Sequence, residues 1–445
     1  MASPAIQLPF QTEYDSKLTN DGSIDPLALY SISENLATRL CPGVRERMSN
    51  PRYLTLTAIS HAVCASFDDD TVANDDAGTP PHLVFEWYVV EGLVRSAGDT
   101  LNLRGLPGRD KAGRVVALGL GLSSTRYLKV ASVFGFHGIY RPLAKQLELE
   151  IGGGLGPFGL ELLDIWQREN DLPGFVGGSQ GEGARIRDIL REAITKGLDK
   201  GEVAHAKSWR HWELFSKYLQ HQKFGKAEAR AIFNRIIETE TSLRRPLIEF
   251  LGSADGQVIA SGKHASERSF HEMLRKKCGK ELATILDAIM AYENFSRLVQ
   301  NGFDECLKNL CEALRAVEIN ELATLKSIIL AAAGTPSAFQ DAADKIAAID
   351  PELARRFTQT FHTFSETMTE AAWIQNLFEH HRLNQERKPP HGKRPWVLTN
   401  PKTNAMHIQP NYRRNYTPKF DGSYVNFYRM VPLQSFLTRM GVVNG

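Results

Sequence analysis

One apolar stripe does most to limit what this chain of 445 residues can fold into. Leu282, Ile285, Leu286, Ile289, Tyr292, Phe295, Val299, Phe303, Cys306, Leu307, Leu310 and Leu314 recur at steps of three and four. That is the period of an α-helix with one buried face, and it predicts a single helix many turns long. A second stripe, Phe357, Phe361, Phe364, Met368, Ala371 and Phe378, predicts another helix ending near His381. Asp350 supplies its N-cap and Pro351 its first residue. The two pack most simply as antiparallel neighbours, with 318–333 and 336–349 between them. Aromatic and methionine stripes of this kind form cores rather than cofactor boxes.

The rest of the chain also reads as mainly helical. Residues 26–40 and 52–67 are amphipathic, and Asp25 before Pro26 is a good helix start. Residues 68–81 form a polar loop ending in two prolines, and 82–96 are apolar on most faces, as in a buried helix. Pro107-Gly108 marks a turn before a short basic helix over 109–118. Residues 173–183 read as a loop. Four helices follow, over 184–198, 208–219, 226–238 and 243–251. Proline forces 388–395 to be extended. Beyond it, 396–399 and 423–430 are strand-like, and 433–440 form a last helix. The expected fold class is therefore mainly α, a multi-domain helical protein. Its parts are an acidic helical N-terminal region (1–100), a winged-helix-like module with following helices (101–260), a long-helix bundle (261–387) and a small, mixed, basic C-terminal arm (388–445).

Composition narrows the setting. Five cysteines with no C-x-x-C pair are too few for a disulfide scaffold, so a reduced, cytoplasmic protein is expected. Met1–Thr12 lacks a signal-peptide pattern. The longest apolar runs, 115–122 and 328–333, are too short to cross a bilayer, so no membrane role is expected. Net charge is only +2, but it is unevenly spread. Residues 1–100 hold 14 acidic and 6 basic side chains, 101–150 hold 3 and 8, and 382–445 hold 2 and 11. Such asymmetry marks a polyanion-facing surface or a self-complementary one, or else simply a set of solvated faces plus a basic tail.

Residues 108–170 carry the most functional information. Ser123-Ser124-Thr125 can cap a helix running to about Val133. Gly135 to Gly138 supply a turn. Because Pro142 is tolerated only in a first turn, the next helix should begin no earlier than about Ile139. Residues 147–151 alternate like a strand, the glycines at 152–154 reverse the chain, and 159–166 resume as a helix. In residues, TRYLKVASVFGFHGIYRPLAKQL (125–147) and LELEIGGGLGPFGLELLDIW (147–166) resemble the winged helix-turn-helix DNA-binding proteins over about 60 residues. The proline in the second helix departs from the usual pattern. What the resemblance implies is a helix in the DNA major groove and a wing near the backbone.

The residues themselves point the same way, since phosphates need cations. Arg109, Lys111, Arg114, Arg126, Lys129, Arg141 and Lys145 fall in this stretch, and Tyr140, Arg141, Lys145 and Gln146 are the expected groove contacts. In the arm, Lys393, Arg394, Arg413, Arg414 and Lys419 interleave with aromatic residues, a composition suited to nucleic acid. It suits equally an arm that wraps an acidic protein partner or a second copy of this chain.

Catalytic patterns are weak. Gly154 to Gly159 fits G-x-G-x-x-G, but Pro157 spoils a dinucleotide turn and a wing turn fits better. The glycines at 177–183 open a helix and could hold an anion, but lack the Lys-Ser/Thr of a phosphate loop. His205-Ala206-Lys207 resembles the start of a phospholipase D motif, with Trp212 where an acid is required. His61, Cys64 and Glu86 are candidates for an enzyme site, with no second pair spaced to complete one. Glu91 can pair with Arg95 one turn on. His264, His271, His380 and His381 read as surface histidines. No cofactor or metal is indicated. The reading is a non-catalytic DNA-binding or scaffolding component of a DNA-acting assembly, with double-stranded DNA as ligand, prokaryotic genome defence as one setting, and self-association or other subunits as partners. The alternatives are a helical interaction protein and an enzyme of unassigned type.

Overall fold

The computed structural model describes residues 25–96, 102–239, 243–261, 266–313, 315–388 and 392–443. Helices dominate, as expected, and strands are few. The first elements are α1 (Tyr30–Leu40), α2 (Arg52–Cys64), α3 (Pro81–Arg95) and α4 (Arg109–Ala117). Then come α5 (Ala131–Phe134), α6 (Phe136–Gln146), a hairpin of β1 (Glu150–Ile151) and β2 (Gly154–Leu155), and α7 (Pro157–Glu169). They are followed by α8 (Glu182–Lys200), α9 (Glu213–Tyr218), α10 (Lys226–Thr239), α11 (Arg244–Gly252), α12 (Ala254–Ser261) and α13 (Glu267–Arg275). The long helix α14 (Lys280–Glu312) precedes β3 (Val317–Glu318), α15 (Ile319–Ala323), α16 (Lys326–Ala347), α17 (Pro351–Phe361) and α18 (Glu370–Glu386). The chain ends in β4 (Val397–Thr399), β5 (Ala405–Ile408) and α19 (Met430–Arg439).

These elements form two compact units, and neither is a continuous stretch of chain. Unit one holds the residues up to Cys41 and 253–430; unit two holds 42–252 and those from Val431 on. The cuts therefore fall at 41, 252 and 430 rather than at 100, 260 and 387.

Unit one is organised by α14. Its apolar stripe is buried from Leu282 to Leu310, as the spacing predicts; Leu314 lies outside the described residues. The main neighbour of α14 is α16 rather than the phenylalanine stripe. α16 runs straight through Pro336 and so joins the segments read separately over 318–333 and 336–349. Ile328, Ala331, Ala332, Thr335, Phe339, Ala342 and Ile346 form one buried face, and their packing outweighs the lost backbone bond of the proline. The phenylalanine stripe is instead broken. α17 closes in a 3₁₀ turn at His362–Phe364, and Thr369 caps a new helix through Ala372 N–H. The bend lets Phe357, Phe361 and Phe364 all surround Phe295 of α14 edge-on, with ring centroids 5.2–6.1 Å apart. Asp350 caps α17 through Glu352 and Leu353, as read from sequence.

A three-stranded antiparallel sheet, ordered β3-β5-β4, lies beside α14, with Val397 opposite Ile408 and Thr399 opposite Met406. Residues 423–429, expected as a strand, are a strap without sheet partners. Two carboxylates hold its backbone: buried Glu293 accepts from Val425 N–H, Asn426 N–H and the Tyr428 hydroxyl, and half-buried Glu267 accepts from Tyr428 N–H and Met430 N–H. Of the histidines read as surface groups, His271 and His381 are buried and His380 is half-buried. His381 Nδ1 bonds to the Pro26 carbonyl at 2.9 Å while its Nε2 takes Trp396 N–H. His380 reaches the Leu27 carbonyl, and His271 the Tyr424 hydroxyl. Each sits where a loop carbonyl or hydroxyl needs a partner, a long-range demand that helical spacing cannot reveal. His264 lies outside the described residues.

Unit two packs α2 and α3 at its centre, against α6, α7 and α8, with α4 and α9 on α3. Arg52 and Glu228, both almost fully buried, join α2 to α10 as an ion pair. α19 closes the unit: Phe436 stacks near Tyr140 and Arg439 bonds to Gln222.

Candidate nucleic-acid interface

The cations expected to meet phosphate are gathered in unit two by one buried tyrosine. We expected a helix over 123–133, but only Ala131–Phe134 is helical. Leu122 and Ser123 are instead drawn out beside Val203 and Glu202, through Val203 N–H to the Leu122 carbonyl and a bridge between Ser123 and Glu202. The following turn is pinned by Tyr127, fully buried, whose hydroxyl donates to Glu86 at 2.8 Å. Its ring presses on Gly108, where φ is +71° and a Cβ would overlap the ring, so glycine is required there. The ammonium of Lys111 on α4 donates to the Tyr127 carbonyl at 2.8 Å. Arg109, Lys111 and Arg114 of α4 and Lys129 of the turn are exposed in consequence, with Arg126 half-buried beside them and paired with Glu202. Between residues 102 and 131 the sole acidic residue is Asp110, against six basic ones. Leu118, 74% exposed, projects from the same segment.

α6 begins at Phe136, three residues earlier than the proline rule suggested. The cause lies in α3. Glu86 accepts from the backbone N–H of His137, and from Phe136 as well, so a carboxylate from another helix caps α6. A Cβ at Gly135 would collide with that carboxylate. With the first turn so anchored, Pro142 sits inside the helix and leaves only the Gly138 carbonyl without its helical donor.

Tyr140 must be withdrawn from the expected groove contacts. It is 2% exposed, and its hydroxyl accepts from Ser49 N–H at 3.0 Å and Asn50 N–H at 2.8 Å. Arg141 stays 57% exposed at the side chain while bonding to Glu150, and Lys145 and Gln146 are exposed on the same helix. The strand expected over 147–151 shrinks to Glu150–Ile151, paired with Gly154–Leu155 across Gly152 and Gly153, both at positive φ. Tyr140→Phe would strand two backbone donors, the buried one of Asn50 and the part-buried one of Ser49. We expect it to cost about 2 kcal/mol or more, read as a lower urea midpoint with an unchanged slope.

Beneath α6 lies a polar cluster that sequence reading did not assemble. Glu86 is held by Tyr127, by the amides of α6 and by His137 Nδ1 at 3.0 Å. Burial pushes its carboxyl up to about 7 against the pull of those bonds, and burial drives the His137 imidazole down to about 3. Neutral His137 therefore donates from Nδ1. The His82 ring lies 5.5 Å from that of His137 and is likewise lowered to about 3 by burial. Glu150, 3.8 Å from His61 Nε2, is held near 2: burial would raise it, but His61 and Arg141 prevail. The available signal was the spacing of His82 and Glu86, one turn apart on α3; His137 comes from a distant segment.

The weak enzyme candidates fare differently. Burial lifts the Cys64 thiol to about 12, so it is no thiolate nucleophile. Glu91 does pair with Arg95, at 2.7 Å. The 173–183 loop turns carbonyls inward, those of Gly174, Phe175 and Gly178 accepting from Arg187, so it binds a cation of its own chain rather than an anion. Among the described residues, no group of three or more His, Cys, Asp or Glu side chains could hold a metal ion, and no helix is long and apolar enough to cross a membrane.

The arm's candidates belong to unit one. Arg394 and Lys419 are exposed and Lys393 is half-buried. Arg413 donates to the Cys311 carbonyl at the end of α14, and Arg414 lies 5.4 Å over Trp396 and 5.0 Å over Tyr416. Both exposed guanidiniums thus already help to fasten the arm. Comparison of the chain with known protein families, with curated proteins and with solved structures finds no match.

Proposed function

We propose that unit two binds nucleic acid without catalysis, with double-stranded DNA as the ligand, as a DNA-binding or scaffolding part of a DNA-acting assembly. The observation that carries this reading is the acid-poor face of α4 and the 123–130 turn, where Lys111 and Tyr127 hold the cations together. Such a face supplies phosphate contacts and register but little base readout. The order α5, α6, β1-β2 hairpin, α7 supports a winged-helix-like reading, with Arg141, Lys145 and Gln146 offered to a groove and Gly152-Gly153 forming the wing tip. Cys41, Cys64, Cys278, Cys306 and Cys311 are all free thiols, which supports a reducing, cytoplasmic setting.

The test is fluorescence anisotropy of the full chain with a 30-base-pair duplex. With about four phosphate contacts, affinity should fall by on the order of 10² between 50 and 200 mM salt. Arg114→Glu with Lys129→Glu should weaken binding at least tenfold and flatten the salt slope. Arg141→Ala with Lys145→Ala isolates the groove helix. Wild-type affinity in the charge-reversed pair would sink the proposal.

A further inference from the structure

The outer edge of β4 in unit one is a short unpaired strand with a cleft beside it. Gln409 N–H donates to the Trp396 carbonyl and Asn400 N–H to the Ala405 carbonyl, both at 2.8 Å. In an antiparallel ladder the inward-bonding residues alternate, so 396, 398 and 400 bond toward β5. The N–H and C=O of Val397 and Thr399 therefore point outward, and among the described residues no strand pairs with them. Next to this edge opens a cleft of about 400 Å³ between the sheet and α18. Its apolar walls are Ile319, Phe378, Pro395, Val397 and Met406, and Gln375 of α18 stands exposed at its rim.

From this we infer that the β4 edge docks an extended, acidic segment of a partner protein, which adds a fourth strand to the sheet and places one apolar side chain in the cleft. Two features select that occupant. Outward backbone donors and acceptors with an apolar hollow alongside read a peptide strand; bases and phosphates match neither. Charge selects the sign: no acidic residue lies between Glu386 and Asp421, and exposed Arg394 and Lys402 flank the strand three residues before Val397 and three after Thr399. Arg382, at the cleft rim, is paired with both Glu379 and Glu386, which leaves α18 one net negative charge there against the two cations that flank the strand. The inference does not depend on nucleic-acid binding by unit two.

The probe is a displayed library of random heptapeptides selected on the full chain, with selected peptides then synthesised and titrated by anisotropy. Selected sequences should carry apolar residues at alternate positions between Asp or Glu. Thr399→Pro removes an outward N–H while sparing the ladder, so it should weaken those peptides at least tenfold. Gln375→Trp should do the same by covering the cleft from the exposed surface of α18, where the fold is not at stake. Arg394→Glu with Lys402→Glu should reduce binding and its salt dependence. A selection without an apolar and acidic consensus would overturn the inference. So would peptides that bind both Thr399→Pro and Gln375→Trp as tightly as wild type. A single-stranded oligothymidine that loses affinity in the Arg394/Lys402 variant, with no peptide bound, would also overturn it and assign the edge to nucleic acid.

Discussion

Lowering the pH from 6.5 to 4.5 should cost unit two about 5 kcal/mol of stability, enough to unfold an ordinary domain. Burial lowers His82 and His137 to about 3 and His221 to about 4. In the unfolded chain each takes up a proton near pH 6.5, while the native state refuses it. Below pH 6.5 the unfolded state therefore binds three more protons at these sites. Glu86 acts in the opposite sense: its carboxyl, raised to about 7, is protonated in the fold before it is in the unfolded chain, which returns one proton's worth of stability between pH 7 and 4.5. At these four groups the difference is two protons, or roughly 3 kcal/mol per pH unit. Below pH 4.5 the depressed Glu150 adds to the loss. Urea unfolding followed at half-unit steps of pH checks this. A midpoint that stays level down to pH 4.5 would refute the neutral interior histidines, whereas His82→Gln should make the decline shallower.

Glu293→Leu should be nearly as damaging to unit one. The carboxylate is 2% exposed and collects two backbone N–H groups, the Asn426 amide and the Tyr428 hydroxyl. Burial raises its pKa, so its site already carries a desolvation cost that only these bonds offset. Leucine leaves the buried Tyr428 hydroxyl and the part-buried donors of Val425 and Asn426 without an acceptor, at roughly 3–5 kcal/mol in total. The strap over 423–429 should then become the first site cut in limited proteolysis, followed by a lowered melting temperature for unit one. Glu293→Gln keeps an acceptor oxygen and should fall between the two. A leucine variant with native protease resistance would show that side-chain packing, and not this carboxylate, holds the strap.

Much of the helical framework could be read directly. The stripe of α14, the capped start at Asp350 and the buried character of α3 all follow from local spacing and chemistry. What escaped was set by groups far away in the chain. Glu86 starts α6 from 50 residues upstream, so a proline argument confined to α6 misplaced its first residue. Val203 straightens Leu122 and Ser123, although Ser123-Ser124-Thr125 by themselves could cap a helix. Tyr140, next to Arg141, looks like a surface aromatic, yet it answers the amides of Ser49 and Asn50. Cations were more legible than aromatics, because a charged side chain keeps its head in water wherever the helix lies.

The discontinuous make-up of the two units bears on how the protein is born. Unit two cannot seat Phe436 against Tyr140 until the ribosome has passed residue 436, although the bulk of its core is translated before residue 253. For the time needed to synthesise the intervening 178 residues, the nascent chain would carry an open apolar gap where α19 belongs, making that interval its period of greatest exposure to aggregation and to chaperones.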